Sequence, residues 1–385
     1  MRKGWEYKKL GEVLETTSGG TPSKSHKEYY EGGTIPWLRS GEVSKGDIYD
    51  AELYITEEGL KKSSAKLFPI DTVLIAMYGA TVGQVGILKS TMCTNQAICG
   101  ILPNKDFHPN FLKYVLLANK KNYLKQAIGG AQPNISQQVI KSTYIPIVKF
   151  SEQESVVSEL DKINELIRLK KEQLKDFDNL AQSLFYEMFG DPVENEKGWE
   201  VKKLGEIAKS AIGLTYKPEN VTEELSGTVV LRSSNIQNSI LDFNDIVRVN
   251  VLVKEDKMVN DGDILMCSRN GSFRLVGKVA LIKGLKERMS YGAFMTIIRS
   301  PYNPYLFEYF KTPAFRQYLI TSKTTTVNQI TVKMLNNLTL PLPPLSLQRL
   351  FAQRIEQIER EKSEVQKSIQ DLETLLASRM QYWFE

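Results

Sequence analysis

The sequence predicts an α+β protein with two similar globular units, each followed by a long helix. The two helices are expected to pair as an antiparallel coiled coil, with the copies related by a pseudo-two-fold axis. Three observations carry this prediction: a repeat at a spacing of 194 to 195 residues, short strand-like runs between turns in each copy, and about 40 residues free of glycine and proline at the end of each copy. The predicted boundaries are 1–150 for the first globular unit, 151–190 for its helix, 191–345 for the second globular unit and 346–385 for its helix.

The repeat is clearest where each copy begins. Residues 4–13 read GWEYKKLGEV and residues 198–207 read GWEVKKLGEI, so eight of ten positions are identical. Weaker matches follow in the same order, namely Leu38-Arg39-Ser40 with Leu231-Arg232-Ser233, Ile145-Pro146 with Leu340-Pro341, and Ser151-x-Gln153 with Ser346-x-Gln348. Two copies of one fold therefore fill the chain.

The globular part of each copy consists of short β-branched and aromatic runs separated by turns that contain glycine. Examples of these turns are Ser18-Gly19-Gly20-Thr21-Pro22 in the first copy and Asn270-Gly271 in the second. This pattern is typical of short strands. Helices are predicted near residues 110–127 and 304–320.

The end of each copy predicts a helix with a coiled-coil seam, because apolar residues recur in heptads. The seam residues are Leu160, Ile167, Leu174 and Phe177 in the first helix, and Ile358, Val365, Ile369 and Leu372 in the second. Ser151 and Ser346 stand where helix N-caps are expected. Because the first helix leads from one globular unit to the other, the second helix can pair with it only by running back antiparallel. The alternative is that each helix packs on its own globular unit.

Composition and charge exclude several classes of protein. The three cysteines lack paired spacing and there are only two histidines, so neither a disulfide framework nor a metal site is indicated. No apolar run approaches the roughly 20 residues of a membrane helix, and the first residues lack an apolar signal core. We therefore expect a cytoplasmic location and no membrane contact.

The net charge of +5 is unevenly distributed along the chain. It divides into +6 for residues 1–150, −4 for 151–190, +4 for 191–345 and −1 for 346–385. Basic globular units that alternate with acidic to neutral helices indicate a polyanionic partner such as DNA.

In their duplicated order, these motifs resemble those of the specificity subunits of type I restriction-modification systems, over essentially the whole chain. The resemblance rests on the repeated WExKKLGE opening, SGGTPS at 18–23, the glycine-rich segment 79–86, Asn134-Ile135-Ser136 before Ile145-Pro146, and PLPPLSLQ at 341–348. The second copy departs from the pattern, because Ala211-Ile212-Gly213-Leu214-Thr215 replaces the Ser-Gly-Gly-Thr-Pro stretch.

The resemblance implies a non-catalytic subunit with two target recognition domains, each of which reads one half of a bipartite, asymmetric site in double-stranded DNA. It also implies that the helices set the spacing between the half-sites and dock two methyltransferase (modification) subunits, which restriction subunits join for cleavage. S-adenosylmethionine, ATP and Mg²⁺ would then be bound by the partner subunits and no cofactor or metal by this chain.

The active-site motifs of competing enzyme classes are incomplete in this sequence. An amino-methyltransferase needs an Asp/Asn-Pro-Pro-aromatic motif, and the nearest match, Asn303-Pro304-Tyr305, parallels His108-Pro109-Asn110 and is interpreted as a helix start. Glu6-Tyr7-Lys8 and Glu200-Val201-Lys202 supply only the second half of the metal-dependent nuclease pattern. The alternatives to a specificity subunit are a generic two-domain DNA-binding scaffold and a self-contained methyltransferase or nuclease.

Base reading requires polar side chains on loops that face a DNA groove, and phosphate contacts require basic or hydroxyl side chains. The candidates are Arg39, Ser40, Tyr78, Thr81, Gln132 and Asn134 in the first copy, and Arg232, Ser233, Arg269, Asn270, Arg274, Lys323, Thr324 and Asn328 in the second. For each of them the alternative is a solvated or turn-forming role. Arg269 and Asn270 are the preferred pair, in a turn that is predicted to correspond to Tyr78-Gly79.

Overall fold

The computed structural model describes residue 2 and residues 4–127, 133–322 and 327–385. The chain divides into two compact units: unit 1 consists of residues 1–171 and 367–385, and unit 2 consists of residues 172–366. Both units contain helices and sheets, which confirms the predicted α+β class. Among the described residues, no helix combines the length and the apolar character needed to span a bilayer.

Unit 1 is built mainly from short strands, as predicted for the first copy. Its strands are β1 (Glu6–Lys9), β2 (Thr16–Ser18), β3 (Ile35–Leu38), β4 (Asp47–Ile48), β5 (Tyr54–Ile55), β6 (Leu67–Phe68), β7 (Val73–Ala76), β8 (Val85–Leu88), β9 (Met92–Thr94), β10 (Ile98–Ile101) and β11 (Tyr144–Ile147). Its helices are α1 (Leu10–Val13), α2 (Glu57–Lys61), α3 (Pro109–Ala118), α4 (Lys120–Gln126), α5 (Gln137–Lys141) and the first part of α6 (Phe150–Phe189).

Two sheets and one separate strand pair organise unit 1. One sheet has the order β2-β10-β7-β8-β4 and the other has the order β5-β3-β9-β6, in which β3 and β9 are parallel. Strand β1 pairs antiparallel with β11, so the repeated opening segment lies beside the strand that leads into α6.

Unit 2 repeats this organisation. Its strands are β12 (Glu200–Lys203), β13 (Lys209–Ile212), β14 (Val221–Thr222), β15 (Thr228–Leu231), β16 (Ile236–Gln237), β17 (Ile240–Leu241), β18 (Arg248–Val249), β19 (Ile264–Cys267), β20 (Val279–Leu281), β21 (Met289–Tyr291), β22 (Met295–Arg299) and β23 (Thr339–Leu342). Its helices are α7 (Leu204–Ile207), α8 (Asn303–Tyr309), α9 (Pro313–Thr321), α10 (Val332–Asn337), the second part of α6 and the first part of α11 (Leu345–Phe384).

The sheets of unit 2 correspond to those of unit 1. The order β13-β22-β19-β20 matches β2-β10-β7-β8, the parallel pair of β15 with β21 matches β3 with β9, and β12 with β23 matches β1 with β11. The internal repeat predicted from the sequence is therefore present in the strand pairing of the two units.

The two predicted long helices are continuous, and each contributes one part to each unit. Both begin one residue earlier than expected, so Ser151 and Ser346 lie inside the first turn and the N-cap prediction is wrong. The backbone at each helix entry is instead paired with the side chain of the glutamine that stands two residues after the serine.

A buried glutamine explains why the Ser-x-Gln motif occurs at both helix starts. The Gln153 side-chain amide donates to the Val148 carbonyl at 3.1 Å, and the Gln348 amide donates to the Pro343 carbonyl at 2.7 Å. Each glutamine thereby satisfies a backbone carbonyl in the segment that enters the helix, where an unpaired buried carbonyl would be costly.

In unit 1, the first part of α6 pairs with the last part of α11. Arg379 donates to the Glu159 carboxylate, and Lys171 donates to Glu373 at 2.8 Å. The residue number of the partner falls as the number along α6 rises, so the helices are antiparallel. The seam residues of this part are Leu160, Ile167 and Ile369, which are buried, and Leu372, which is half-buried.

In unit 2, the second part of α6 pairs with the first part of α11 in the same sense. Lys362 donates to Asp178 at 2.8 Å, and the Phe185 and Phe351 ring centroids are 6.0 Å apart. The seam residues of this part are Ile358 and Val365, which are buried, and Leu174 and Phe177, which are half-buried. The antiparallel helix pair is confirmed, and the alternative that each helix packs only on its own globular unit is wrong.

Candidate nucleic-acid interface

In unit 2, three turns and one loop, together with Asp245 and the segment before α10, line an open cleft with a volume of about 990 Å³. The turns follow β13, β15 and β21, and the loop follows β19. The lining residues include Thr215, Arg232, Asp245, Arg269, Phe294 and Asn328. We call this site the unit 2 cleft.

The loop after β19 carries Arg269 and Asn270. The Asn270 N–H donates to the Asn328 carbonyl at 3.2 Å, and the Asn328 side-chain amide donates to the Gly271 carbonyl at 2.9 Å. Arg269 also forms a β-bridge with Gln329. The segment before α10 therefore holds the backbone of this loop, while the side chains of Arg269 and Asn270 line the cleft.

Arg269 packs against the ring of Phe294. The guanidinium carbon lies 5.1 Å from the ring centroid, and the Phe294 carbonyl accepts hydrogen bonds from the N–H groups of Ser268 and Arg269 at 2.9 and 3.1 Å. Attraction between a cation and an aromatic face contributes about 0.5–1 kcal/mol at an exposed site. The guanidinium therefore has a preferred position in the cleft.

Arg232 is held by two partners further along the chain. Its Nη2 donates to the Asp245 carboxylate at 2.7 Å, and its backbone N–H donates to the Asn235 side chain at 2.8 Å. The next residue, Ser233, accepts a hydrogen bond from the Asn270 side-chain amide at 3.0 Å. The turn after β15 is thereby linked to the loop after β19.

The cysteines of both units lie in the interior. Cys267 is fully buried at the end of β19, and burial raises the pKa of its thiol. Burial likewise raises the pKa of Cys93 to about 11 and that of Cys99 to about 12. Since a nucleophilic cysteine must be a thiolate near neutral pH, these thiols are structural. Within the described ranges, no group of three or more His, Cys, Asp or Glu side chains is placed to hold a metal ion.

Unit 1 builds the same loop with different residues. The corresponding positions are Tyr78 and Arg269, Gly79 and Asn270, Pro133 and Asn328, and Asn134 and Gln329. Tyr78 forms the β-bridge with Asn134, and the Gly79 N–H donates to the Pro133 carbonyl at 2.8 Å. The predicted correspondence between Tyr78-Gly79 and Arg269-Asn270 is therefore present in the backbone hydrogen bonds.

The arginine after the third strand of unit 1 is also held in the same way. Arg39 Nη2 donates to the Glu52 carboxylate at 2.7 Å, and the Arg39 N–H donates to Glu42 at 3.1 Å. The spacings of 13 and 3 residues are those of Arg232 with its two partners. This arginine framework is common to both units, whereas the side chains on the loop differ.

Comparison with known proteins places this arrangement in a family. The profile of the type I restriction modification DNA specificity domain matches residues 2–176 and 196–374, one match for each copy. The chain belongs to this family. Each match covers one globular unit and most of the long helix that follows it, so the chain contains two specificity domains.

Curated proteins similar to this chain are specificity subunits of type I restriction enzymes. The specificity subunit of the type I restriction enzyme MjaIX from Methanocaldococcus jannaschii is 30% identical over 287 residues, which are 68% of this chain and 66% of the relative. The EcoKI specificity subunit from Escherichia coli K12 is 25% identical over 402 residues, which are 96% of this chain and 85% of the relative.

Solved structures share the fold of the specificity domains over the whole chain. A structure from work on the assembly and conformational transition of the type I restriction-modification system superposes with a TM-score of 0.65 at 21% identity, covering 100% of this chain and 98% of the other. The crystal structure of the type I S subunit from M. genitalium gives a TM-score of 0.53 at 14% identity, with 100% and 98% coverage.

The second specificity domain brings five predicted residues to one cleft, namely Arg232, Ser233, Arg269, Asn270 and Asn328. Arg274 is not among them, because it lines a separate groove with Arg316. Lys323 and Thr324 lie outside the described residues. Contact of any of these residues with DNA stays a prediction.

The first specificity domain has Arg39, Ser40, Tyr78 and Asn134 at positions that correspond to residues of this cleft or of the segment before α10. The Thr81 hydroxyl donates to the Tyr78 carbonyl at 3.0 Å, which is the turn-forming role considered as its alternative. Gln132 lies outside the described residues.

Four residues at these sites were not predicted from the sequence. Glu52 and Asp245 hold the framework arginines, and Gln96 and Phe294 occupy the turns after β9 and β21. The two carboxylates had a detectable signal, because each stands 13 residues after the arginine of the repeated Leu-Arg-Ser motif. The sequence around Gln96 and Phe294 carries no such repeat.

Proposed function

We propose that this chain is the DNA sequence-recognition subunit of a type I restriction-modification complex and carries no active site of its own. The observation that supports this proposal is that each specificity domain has the same arginine framework but a different set of side chains around it. A shared backbone arrangement that carries two different sets of side chains suits a bipartite DNA site whose halves differ in sequence.

Electrostatics supports double-stranded DNA as the ligand. The globular segments 1–150 and 191–345 carry net charges of +6 and +4. Neutralising DNA phosphates with basic side chains releases counterions, so binding should weaken as salt concentration rises.

The long helices are proposed to dock two modification subunits and to set the number of unread base pairs between the half-sites. Their segments 151–190 and 346–385 carry net charges of −4 and −1, which disfavours contact with the DNA backbone and leaves them for protein partners. Restriction subunits would join this assembly for cleavage. S-adenosylmethionine, ATP and Mg²⁺ are proposed to bind the partner subunits, and the assembly is proposed to work in the cytoplasm.

Methylome sequencing tests the proposal directly. A host that expresses this chain with its modification subunit should methylate one bipartite sequence with two specified halves and an unspecified spacer. A host that expresses the modification subunit alone is the control. Methylation without sequence preference would instead support a generic DNA-binding scaffold.

The absence of an active site requires a separate assay. The purified chain alone, incubated with DNA, Mg²⁺ and S-adenosylmethionine, should neither methylate nor cleave the DNA. Turnover by the chain alone would support the self-contained methyltransferase or nuclease, provided that it persists through further purification.

A further inference from the structure

The turns after β9 and β21 have the same backbone hydrogen-bond pattern in the two units. The Ile98 N–H donates to the Asn95 carbonyl at 3.3 Å, and the Met295 N–H donates to the Gly292 carbonyl at 2.8 Å. The first residue of each turn is also tied to the strand that precedes the framework arginine, since Asn95 and Gly292 donate to the carbonyls of Leu38 and Leu231 at 2.9 Å. Each turn is therefore fixed beside that arginine.

Each of these turns presents one long, exposed side chain. In unit 1 it is Gln96, because the following Ala97 is buried. In unit 2 it is Phe294, which is 57% exposed, and the preceding residue is Ala293. The two side chains differ in chemistry and stand one position apart in their turns, whereas the two turns have the same backbone hydrogen bonds.

Gln96 is oriented by a neighbour from another turn. The Thr21 hydroxyl donates to the Gln96 side-chain carbonyl, which has a second lone pair. Toward the part of the chain that the structure describes, the NH₂ group of the amide donates no hydrogen bond. The carbonyl can therefore accept from one base atom while the NH₂ donates to another. A glutamine in this state matches the N6–H and N7 groups that adenine presents in the major groove.

Phe294 lies in the unit 2 cleft beside charged groups. Its ring lines the cleft with Arg232 and is contacted by the Arg269 guanidinium, and its backbone carbonyl is fixed by Ser268 and Arg269. The ring is apolar and cannot donate or accept a conventional hydrogen bond. The apolar group on a major-groove base edge is the C5 methyl of thymine, which phenylalanine contacts in other DNA complexes.

We propose that Gln96 and Phe294 are specificity-determining residues: Gln96 reads the edge of an adenine in the half-site of unit 1, and Phe294 contacts the methyl group of a thymine in the half-site of unit 2. This inference rests on the proposed function. It adds a second reading element, the β9–β10 and β21–β22 turns, to the loops that carry Tyr78 and Arg269.

Phe294 is tested with DNA that contains uracil in place of thymine, one position at a time. Uracil lacks the C5 methyl but keeps the hydrogen-bonding groups. The complex of this chain with its modification subunit should bind about fourfold more weakly when the critical thymine of the unit 2 half-site is replaced. The Phe294→Ala complex should be insensitive to that replacement, and Phe294→Leu should retain most of the sensitivity.

Gln96 is tested with 7-deazaadenine, which lacks the N7 acceptor. Replacement of one adenine in the unit 1 half-site should weaken binding of the natural complex, and the Gln96→Ala complex should not respond. Discrimination at that base pair should fall roughly 5- to 150-fold in Gln96→Ala. Gln96→Glu should shift the preference toward cytosine, because a carboxylate accepts from the cytosine amino group.

The controls separate base reading from other effects. Both side chains are uncharged, so neither alanine variant should change the slope of affinity against salt concentration. Phe243→Ala removes an exposed phenylalanine of unit 2 that lies outside the cleft, and it should leave the response to uracil unchanged. Because Gln96 and Phe294 are exposed, thermal unfolding of the variants should match that of the natural chain.

Several outcomes would overturn the inference while the proposed function stands. These are a specific bipartite methylation pattern with no response to uracil or 7-deazaadenine at any position, an undiminished response in the alanine variants, or a half-site without an A·T pair. Loss of affinity for all sequences alike would also overturn it. A natural complex that methylates without any bipartite specificity would instead refute the proposed function.

Discussion

Trp5 and Trp383 stack on each other in unit 1, with ring centroids 5.9 Å apart and an angle of 16° between their planes. The Arg2 guanidinium lies over the Trp383 ring at 4.1 Å, and Trp5 Nε1 donates to Glu152 at 2.9 Å. The contact joins the repeated opening segment to the last turns of α11. Residues of α11 therefore complete the core of a unit whose strands all come from the first copy.

Trp383→Ala should destabilise unit 1 by about 2 kcal/mol, because it removes a partly buried aromatic ring that stacks on Trp5. Hydrogen exchange should show faster exchange in the strands of unit 1 than in those of unit 2. Leu375→Ala, at an exposed position of the same helix, is the matched control and should have little effect. Equal loss of protection in both units would contradict the assignment of this helix end to unit 1.

Glu159 should make unit 1 sensitive to acid. Its carboxylate accepts hydrogen bonds from Arg379 and from Trp383 Nε1, and the bond with Arg379 is the main cause that lowers the Glu159 pKa below its ordinary value of 4.5. An acid with a lowered folded-state pKa contributes stability above its ordinary pKa and loses that contribution as pH falls through the lowered value.

Glu159→Gln should therefore cost about 1 kcal/mol at neutral pH, and the difference from the natural chain should shrink below pH 4.5. Denaturant unfolding at a series of pH values measures this difference. In the background of Arg379→Gln, the same substitution should have a much smaller effect, since the partner is absent. A difference that is independent of pH would show that the pair does not control the Glu159 charge.

Arg269→Ala should relax the preference for one half-site and leave the other unchanged. If Arg269 pairs with a guanine edge, the loss at that base pair is about 1–3 kcal/mol. Arg288→Ala removes the same charge from an exposed position of unit 2 and should not change the preference. Affinities for a panel of half-site variants at two salt concentrations make the comparison. Uniform weakening with a lower salt slope would identify Arg269 as a phosphate contact instead.

Removing one heptad from each long helix should shorten the unread spacer and preserve both half-sites. Residues 168–174 and 367–373 are suitable, because Lys171 of the first segment pairs with Glu373 of the second. The Lys362–Asp178 pair lies outside both segments and would be kept. Seven residues correspond to about 10 Å of helix, or about three base pairs of DNA. Methylome sequencing measures the length of the spacer. An unchanged length would show that the helices do not set the distance between the half-sites.

The repeat and the long helices could be predicted because their signals are local. Leu160 and Ile167 repeat in heptads, and the ten-residue opening recurs almost unchanged. The helix starts were displaced by one residue because a buried glutamine, rather than the expected serine, supports the entry to each helix.

The cleft was harder to predict because strand pairing assembles it from distant segments. Arg232 and Asn328 line one site although 96 residues separate them, and no local pattern connects them. Phe294 was missed for a different reason. Phenylalanine in a strand-rich segment is normally a core residue, and only the tertiary structure shows that this ring is exposed.

The division of α11 between the units has a consequence for synthesis on the ribosome. Unit 2 is one continuous stretch, residues 172–366, whereas unit 1 needs residues 367–385, which are made after all of unit 2. The first copy therefore emerges first but is completed last. Until α11 is made, the apolar faces of Trp5 and Phe111 that later contact Trp383 and Phe384 lack these partners, and transiently exposed apolar surface of this kind favours aggregation.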